Sequence, residues 1–312
     1  MDLARLGKLG VWTSLDSMAA PQAAEFARRI EALGYSVLWH PEALGRDPVA
    51  LMGFLAPQTS RLVFATGIAN IYARDPMTAN AARLTLGELS GGRFILGLGV
   101  SHAQLVAGVR KHEYGRPVST MRAYLEAMKD KPYMAPAPPS EPPVLLAALR
   151  PNMLRLAKEL ARGAHPYFVP PEHTARAREI LGGGLWLAPE QMVLREADPA
   201  KARALARATM KLYLGLPNYL NSLRWLGYRD DDFADGGSDL LVDAIVCWGD
   251  EKAIAARVQA HLDAGADHVC IQPIRADGQP GPDLRLLEAL APGRHAAPPS
   301  DDSGAVDRPR ST

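Results

Sequence analysis

ATGIANIYARDPMTANAARLTLGELSGGRFILGLGVSHA, residues 65–103, reads as a strand, a sharp turn, a helix, a Gly-Gly stop, a second strand and a glycine-rich turn that ends in Ser-His. Both irregular turns fall where a strand hands over to the next segment. In a parallel α/β fold that edge is where ligands bind, because backbone amides and side chains converge there without filling the core. The stretch therefore predicts both an architecture and the address of a site.

Working outward, six further runs share the composition of strands covered on both faces, so that 9–14, 36–42, 62–70, 93–100, 143–149, 164–169, 191–196 and 268–274 make up a full set of eight. Amphipathic helical patterns separate most of them. In 21–33, Phe26, Ile30 and Leu33 share a stripe, and in 250–264, Ile254, Val258 and Leu262 repeat at four-residue spacing after Asp250, a capping residue. Asp198-Pro199 opens another helix with a cap and a proline at its first position. Eight strands with intervening helices in 312 residues predict an α/β fold of the (β/α)8 TIM-barrel type, with an open doubly wound sheet as the competitor. Residues 132–143 form a proline-rich connection into the fifth strand. Residues 215–245 break the alternation and read as a helical segment inserted before the last helix–strand unit. The barrel is expected to occupy 1–290, and 291–312 has the composition of a disordered tail.

Composition narrows the function classes. With 47% hydrophobic and 22% charged residues the chain can bury a substantial core, and a net charge of +1 offers no electrostatic footprint for nucleic acid. The two cysteines, Cys247 and Cys270, form no CxxC pair, and no clustered metal ligands, HExxH, GxSxG or P-loop occur. Metal and nucleophilic catalysis therefore have no positive support, and a small-molecule substrate is the expected partner. The start, MDLARLGKLGVWTS, is too short in apolar residues for a signal peptide, and no run approaches the roughly 20 apolar residues of a membrane span. The cytoplasm, with no membrane partner, is the expected location.

With TGIAN (66–70), 73–101, 148–165 and 248–272 in view, the chain resembles the bacterial-luciferase-like flavin barrels and, within them, the coenzyme F420-dependent oxidoreductases. The resemblance runs from the first strand to about residue 274 and is more specific for the superfamily than for the choice between deazaflavin and flavin mononucleotide (FMN). It implies coenzyme F420, with FMN as the alternative, and a homodimer. Relatives that bind the deazaflavin carry a cis peptide between two non-proline residues that backs the ring. Gly67-Ile68 is the matching pair, and glycine suits so crowded a turn. Asn70 would either bond the cofactor or hold the turn. In GLGVSH (97–102), Gly99 permits close backbone approach and Ser101 and His102 bring polar groups to the mouth. Some relatives have a catalytic glutamate in place of His102; the histidine keeps an acid/base-capable group there.

Where relatives show an Asp-His pair, this chain has Glu42-Ala43, so a carboxylate is kept and a histidine lost. His40 precedes Glu42 by two residues, and an extended strand would set both on one face as a shifted His–Glu pair; a Glu42–Arg46 ion pair is the structural alternative. The resemblance places the phosphate at Leu149, Arg150, Pro151, Asn152 and Met153, where a strand turns into a helix whose first amides are unpaired. Arg150 stands where relatives have glycine. His165, Tyr167 and Glu190 are secondary candidates. The implied activity is hydride transfer between F420 and a small organic substrate, with His40, Glu42 and His102 as proton-handling candidates. An FMN-dependent monooxygenase, or a barrel that has lost catalysis together with the histidine at position 43, are the other readings.

Overall fold

The computed structural model describes residues 3–129 and 131–292. Eight parallel strands carry the fold: β1 Leu9–Trp12, β2 Val37–His40, β3 Val63–Thr66, β4 Phe94–Gly99, β5 Val144–Leu146, β6 Gly163–Ala164, β7 in two pieces (Trp186–Leu187 and Glu190–Leu194) and β8 Val269–Ile274. Each pairs with its neighbour in chain order from β1 to β7, and β8 pairs with β1. The ring closes through β7, which bonds on both edges. The amides of Trp186, Ala188 and Glu190 donate to the 162, 164 and 166 carbonyls, while the carbonyls of Leu187 and Pro189 accept from the strand that becomes β8. Pro189, with no amide hydrogen, sits at the break between the two pieces. The fold is a (β/α)8 barrel, as expected, and each strand overlaps an expected run, although β6 does so only at Ala164 and the first piece of β7 lies outside the run 191–196.

Alternation along the strands sorts the side chains into two layers. Val37 and Trp39, Val63 and Ala65, Ile95, Leu145 and Cys270 fill the barrel interior, while Leu38, Phe64, Phe94, Leu96, Leu146 and Ile271 pack outward under the helices. Several helices start on a proline at their first position, and Asp47, Asp75 and Asp198 cap three of them by accepting backbone amide hydrogens.

Three features depart from the sequence expectation in detail. The run 62–70 is two strands, β3 and a short piece Ala69–Asn70 that pairs with the far end of β4. An additional strand, Val246–Trp248, pairs with the upper half of β7, where β6 has already ended. The inserted segment 215–245 holds the helix Pro217–Leu226, a 3-10 stretch Asp230–Gly236 and the helix Asp239–Ile245, and it packs with Pro199–Leu214 into its own apolar cluster around Met210, Leu223 and Val242. Of the expected tail, residues 293–312 lie outside the described residues. Among the described residues no helix is long and apolar enough to cross a membrane.

Candidate active site

The C-terminal ends of β1 to β6 open onto a cavity of about 440 Å³, within the roughly 300–1,000 Å³ range of small-molecule sites. Its construction starts at residues 67–68. The Gly67-Ile68 peptide is cis, the feature the resemblance implies for the pair that backs the ring. The chain fits here because β4 is glycine-rich opposite it. A Cβ on Gly97 would lie 2.0 Å from the Thr66 carbonyl oxygen, and one on Gly99 would lie 2.5 Å from Ile68 Cδ1. The alternation Gly-Leu-Gly thus leaves space on one face of β4 while Leu98 fills the core on the other. From β1, the Trp12 indole Nε1–H donates to the Gly67 carbonyl at 2.8 Å.

Glu42 closes the same turn from β2. Its carboxylate accepts from the Asn70 backbone amide (2.8 Å) and from Arg74 (2.8 Å), whose guanidinium also reaches Asp47. The Glu42 amide in turn donates to the Ile68 carbonyl. Glu42 and Arg74 are largely buried, so this ion pair is shielded from water and salt. Neither pairing weighed from the sequence forms: Arg46 instead bonds the Met18 carbonyl, and His40 is engaged elsewhere. His40 Nδ1 accepts from the Leu15 amide at 3.2 Å, its Nε2 lies 4.0 Å from Asp16 Oδ1, and burial holds the imidazole below its ordinary value. His40 is buried and does not line the cavity. The strand ends at His40, and Pro41 and Glu42 beyond it do line the cavity.

His102 lines the cavity, following Ser101, whose φ of 55° turns the chain at the end of β4. Its ring lies 5.5 Å from that of Tyr219 and bonds the Asn218 side chain; burial lowers its pKa, partly offset by that hydrogen bond. Gly67, Ile68, Gly99, Ser101 and Leu149 also line the cavity, whereas Asn70 and the run Arg150–Met153 do not. Asn70 Oδ1 accepts the Tyr72 amide, which holds the turn. Arg150 is exposed at the start of the helix Pro151–Leu160, and the Leu149 carbonyl accepts from His173 Nε2 (2.8 Å) and Ser222 Oγ (3.3 Å).

Of the secondary candidates, His165 and Tyr167 line the cavity and Glu190 does not. His165 Nδ1–H donates to the Ala188 carbonyl at 2.7 Å and its ring stacks on Trp39 at 4.2 Å; burial pushes its pKa down to about 4. Tyr167 donates to Gln272 Oε1 (2.8 Å), which leaves Tyr213 to donate to Tyr167 (2.6 Å). Glu190 is fully buried, accepts only the Phe168 amide, and is pushed up to about 8 by burial, so it is protonated at neutral pH.

The residues that sequence reasoning missed are those of the roof. Leu212, Tyr213, Leu216, Asn218 and Tyr219 reach the cavity from the inserted segment and the helix before it, joined by Leu44 and Leu105. The only signal for them in the sequence is the break in the strand–helix alternation after residue 214.

The sequence model of the family described as luciferase-like monooxygenase matches residues 3–268. Among curated proteins, one from Mycobacterium tuberculosis, provisionally named a coenzyme F420-dependent oxidoreductase, is 26% identical and aligns over 83% of this chain and 92% of its own. The 5,10-methylenetetrahydromethanopterin reductase of Methanolobus tindarius is 26% identical over 45% of this chain and 48% of its own. Among solved structures, an F420-dependent secondary alcohol dehydrogenase in complex with an F420-acetone adduct superposes with a TM-score of 0.72 at 15% identity, covering 91% of this chain and 96% of the other. The oxygenating constituent of a Pseudomonas putida 3,6-diketocamphane monooxygenase, in complex with FMN, gives 0.65 at 16% identity, covering 91% and 96%. At these identities the superpositions establish the fold.

Proposed function

Because the chain belongs to the luciferase-like monooxygenase family, we propose that it is an oxidoreductase that uses coenzyme F420 to transfer a hydride to or from a small organic substrate. The observation that carries this reading is the position of the Gly67–Ile68 turn. It stands in the wall of a cavity at the strand ends, where the resemblance expects the ring, in a chain that aligns over most of its length with a relative named for F420.

The residues present fit a flat ring system. Gly67 and Gly99 let Trp12 and Ile68 pack tightly into the wall, Ile68, Val100 and Ala147 offer apolar surface, and Trp12 and Glu42 fix the turn from two neighbouring strands. The start of the helix Pro151–Leu160, which no side chain caps and which has Arg150 beside it, suits a phosphate outside the cavity. When bound, the deazaflavin would supply two-electron hydride chemistry, which the side chains cannot supply. This chain's own residues position, exclude water and handle a proton. His102, neutral and at the mouth, is the group placed to exchange that proton with the substrate at an imidazole nitrogen. Glu42, whose oxygens are taken by Arg74 and the Asn70 amide, is proposed to position the turn. His40 is proposed to brace β1 through the Leu15 amide. A homodimer remains part of the proposal, checked by sedimentation of the full chain.

The second reading, an FMN-dependent monooxygenase, is favoured by the comparable superposition on the FMN complex. A paired fluorescence titration with F420 and FMN, each oxidised and reduced, tests the choice. Micromolar binding of F420 alone supports hydride transfer, preference for FMN moves the reading to oxygen chemistry, and binding of neither overturns both.

A further inference from the structure

The cavity's charge inventory limits what a bound ring would meet. Among the described residues no lysine or arginine lines it, and the one carboxylate that does, Glu42, is already engaged by Arg74 and the Asn70 amide. The Tyr167 and Tyr213 hydroxyls are partnered with each other and with Gln272. An ionised substrate would lose its hydration here and gain no counter-charge, a loss that buried charges do not tolerate. The roof, in contrast, is mainly hydrocarbon: Leu44, Leu105, Leu212 and Leu216 line it together with the Tyr213 and Tyr219 rings and the Asn218 side chain. Leu44 and Leu212 are 76% and 68% exposed, so two large apolar side chains at the rim are left facing water. Covering such surface is favourable for an apolar ligand and gives nothing to a strongly hydrated one. His102 stands at the edge of this roof, its ring 5.5 Å from that of Tyr219 and its imidazole bonded by Asn218 from the same segment.

Resting on the reading that a coenzyme ring lies against Gly67–Ile68, we infer that the substrate is an uncharged, mainly hydrocarbon molecule with one hydrogen-bonding oxygen. It seats beneath the segment 212–219 with that oxygen at His102. The segment 212–219 is thereby a specificity element of the barrel: it brings Leu212, Leu216 and the Tyr219 ring, and its Asn218 orients His102.

The experiment uses the full chain saturated with whichever coenzyme binds, titrated with cyclopentanone, cycloheptanone and cyclohexanecarboxylate and followed by the coenzyme absorbance. Each added methylene should tighten binding about fourfold, so cycloheptanone binds roughly 16-fold tighter than cyclopentanone. The carboxylate should bind at least about 100-fold more weakly than the ring ketone of similar size. Leu216→Asn should weaken cycloheptanone about tenfold and leave the coenzyme Kd within about twofold. Leu212→Asn, at a side chain already 68% exposed and safe for folding, should act in the same direction. Equal binding of ketone and carboxylate, or no dependence on ring size, overturns the inference and leaves the coenzyme reading standing. Parallel loss of coenzyme affinity in both variants would assign the roof to the coenzyme and likewise overturn it. If neither coenzyme binds the unmodified protein, the function reading falls and the inference falls with it.

Discussion

Trp12 and Gly67, 55 residues apart, are joined by a 2.8 Å hydrogen bond from the indole Nε1–H to the backbone carbonyl, buried inside the barrel mouth. The bond fixes the turn after β3 to the end of β1, and both residues line the cavity. The turn is thus held across the barrel by β1, a strand with which β3 does not pair.

Trp12→Phe keeps the aromatic packing and removes the donor, so the Gly67 carbonyl is left buried without this partner. Unfolding free energy in urea should fall by about 1–3 kcal/mol, and coenzyme affinity should fall with it. Gly67→Ala attacks the same contact from the other side, since its Cβ would lie 2.7 Å from the Trp12 Nε1. Wild-type coenzyme affinity in both variants would take the turn out of the site.

Glu42→Gln removes the charge opposite Arg74 and retains an acceptor for the Asn70 amide. A largely buried pair broken on one side costs on the order of 2 kcal/mol here, because Arg74 keeps Asp47. Arg74→Met should cost at least as much, and the double variant less than the two together. Additive losses in a double-mutant cycle would show that the two side chains do not act as a pair.

His102→Gln should lower turnover by about 10²-fold to 10⁴-fold while the coenzyme Kd stays within about threefold. Burial lowers the His102 pKa, so the acid limb of the pH–rate profile should lie below the ordinary histidine value of 6.5. Asn218→Ala removes the hydrogen bond that opposes this shift and should move the limb lower still. A limb that stays in place in both variants would assign the proton to another group.

Stability should fall in acid. His165, His173 and His268 are held near 4 and His261 near 3 by burial, against 6.5 for an unfolded histidine. With the folded values depressed, their contribution is fully present above pH 6.5 and is lost as pH falls toward 4, because the unfolded chain takes up protons first. Glu190 has the opposite sign. Raised to about 8 from 4.5, it contributes most below pH 4.5 and loses that contribution as pH rises to 8. Four histidines outweigh one acid between pH 6.5 and 4.5, so urea unfolding free energy should drop by about 4 kcal/mol per pH unit at its steepest. Glu190→Gln should steepen the fall on the acid side and remove the loss of stability between about pH 7 and 8; an unaltered profile there would show that Glu190 ionises normally.

The sequence by itself determined the barrel and the half of the site that is local. Strand identity depends on short runs of buried side chains, and Gly67-Ile68, Gly97-Leu98-Gly99 and Ser101-His102 announce themselves because their backbone conformations need particular residues at particular places. Only the tertiary structure decided which side chains meet. Two residues apart on paper, His40 and Glu42 diverge because Pro41 intervenes and because Arg74, 32 residues after Glu42, reaches the carboxylate first. The roof residues Leu212 to Tyr219 stand more than a hundred positions from the turn they face. No period or spacing marks them, since the contact is set by how an irregular insertion packs over the strand ends, a property of the closed ring rather than of any segment in it.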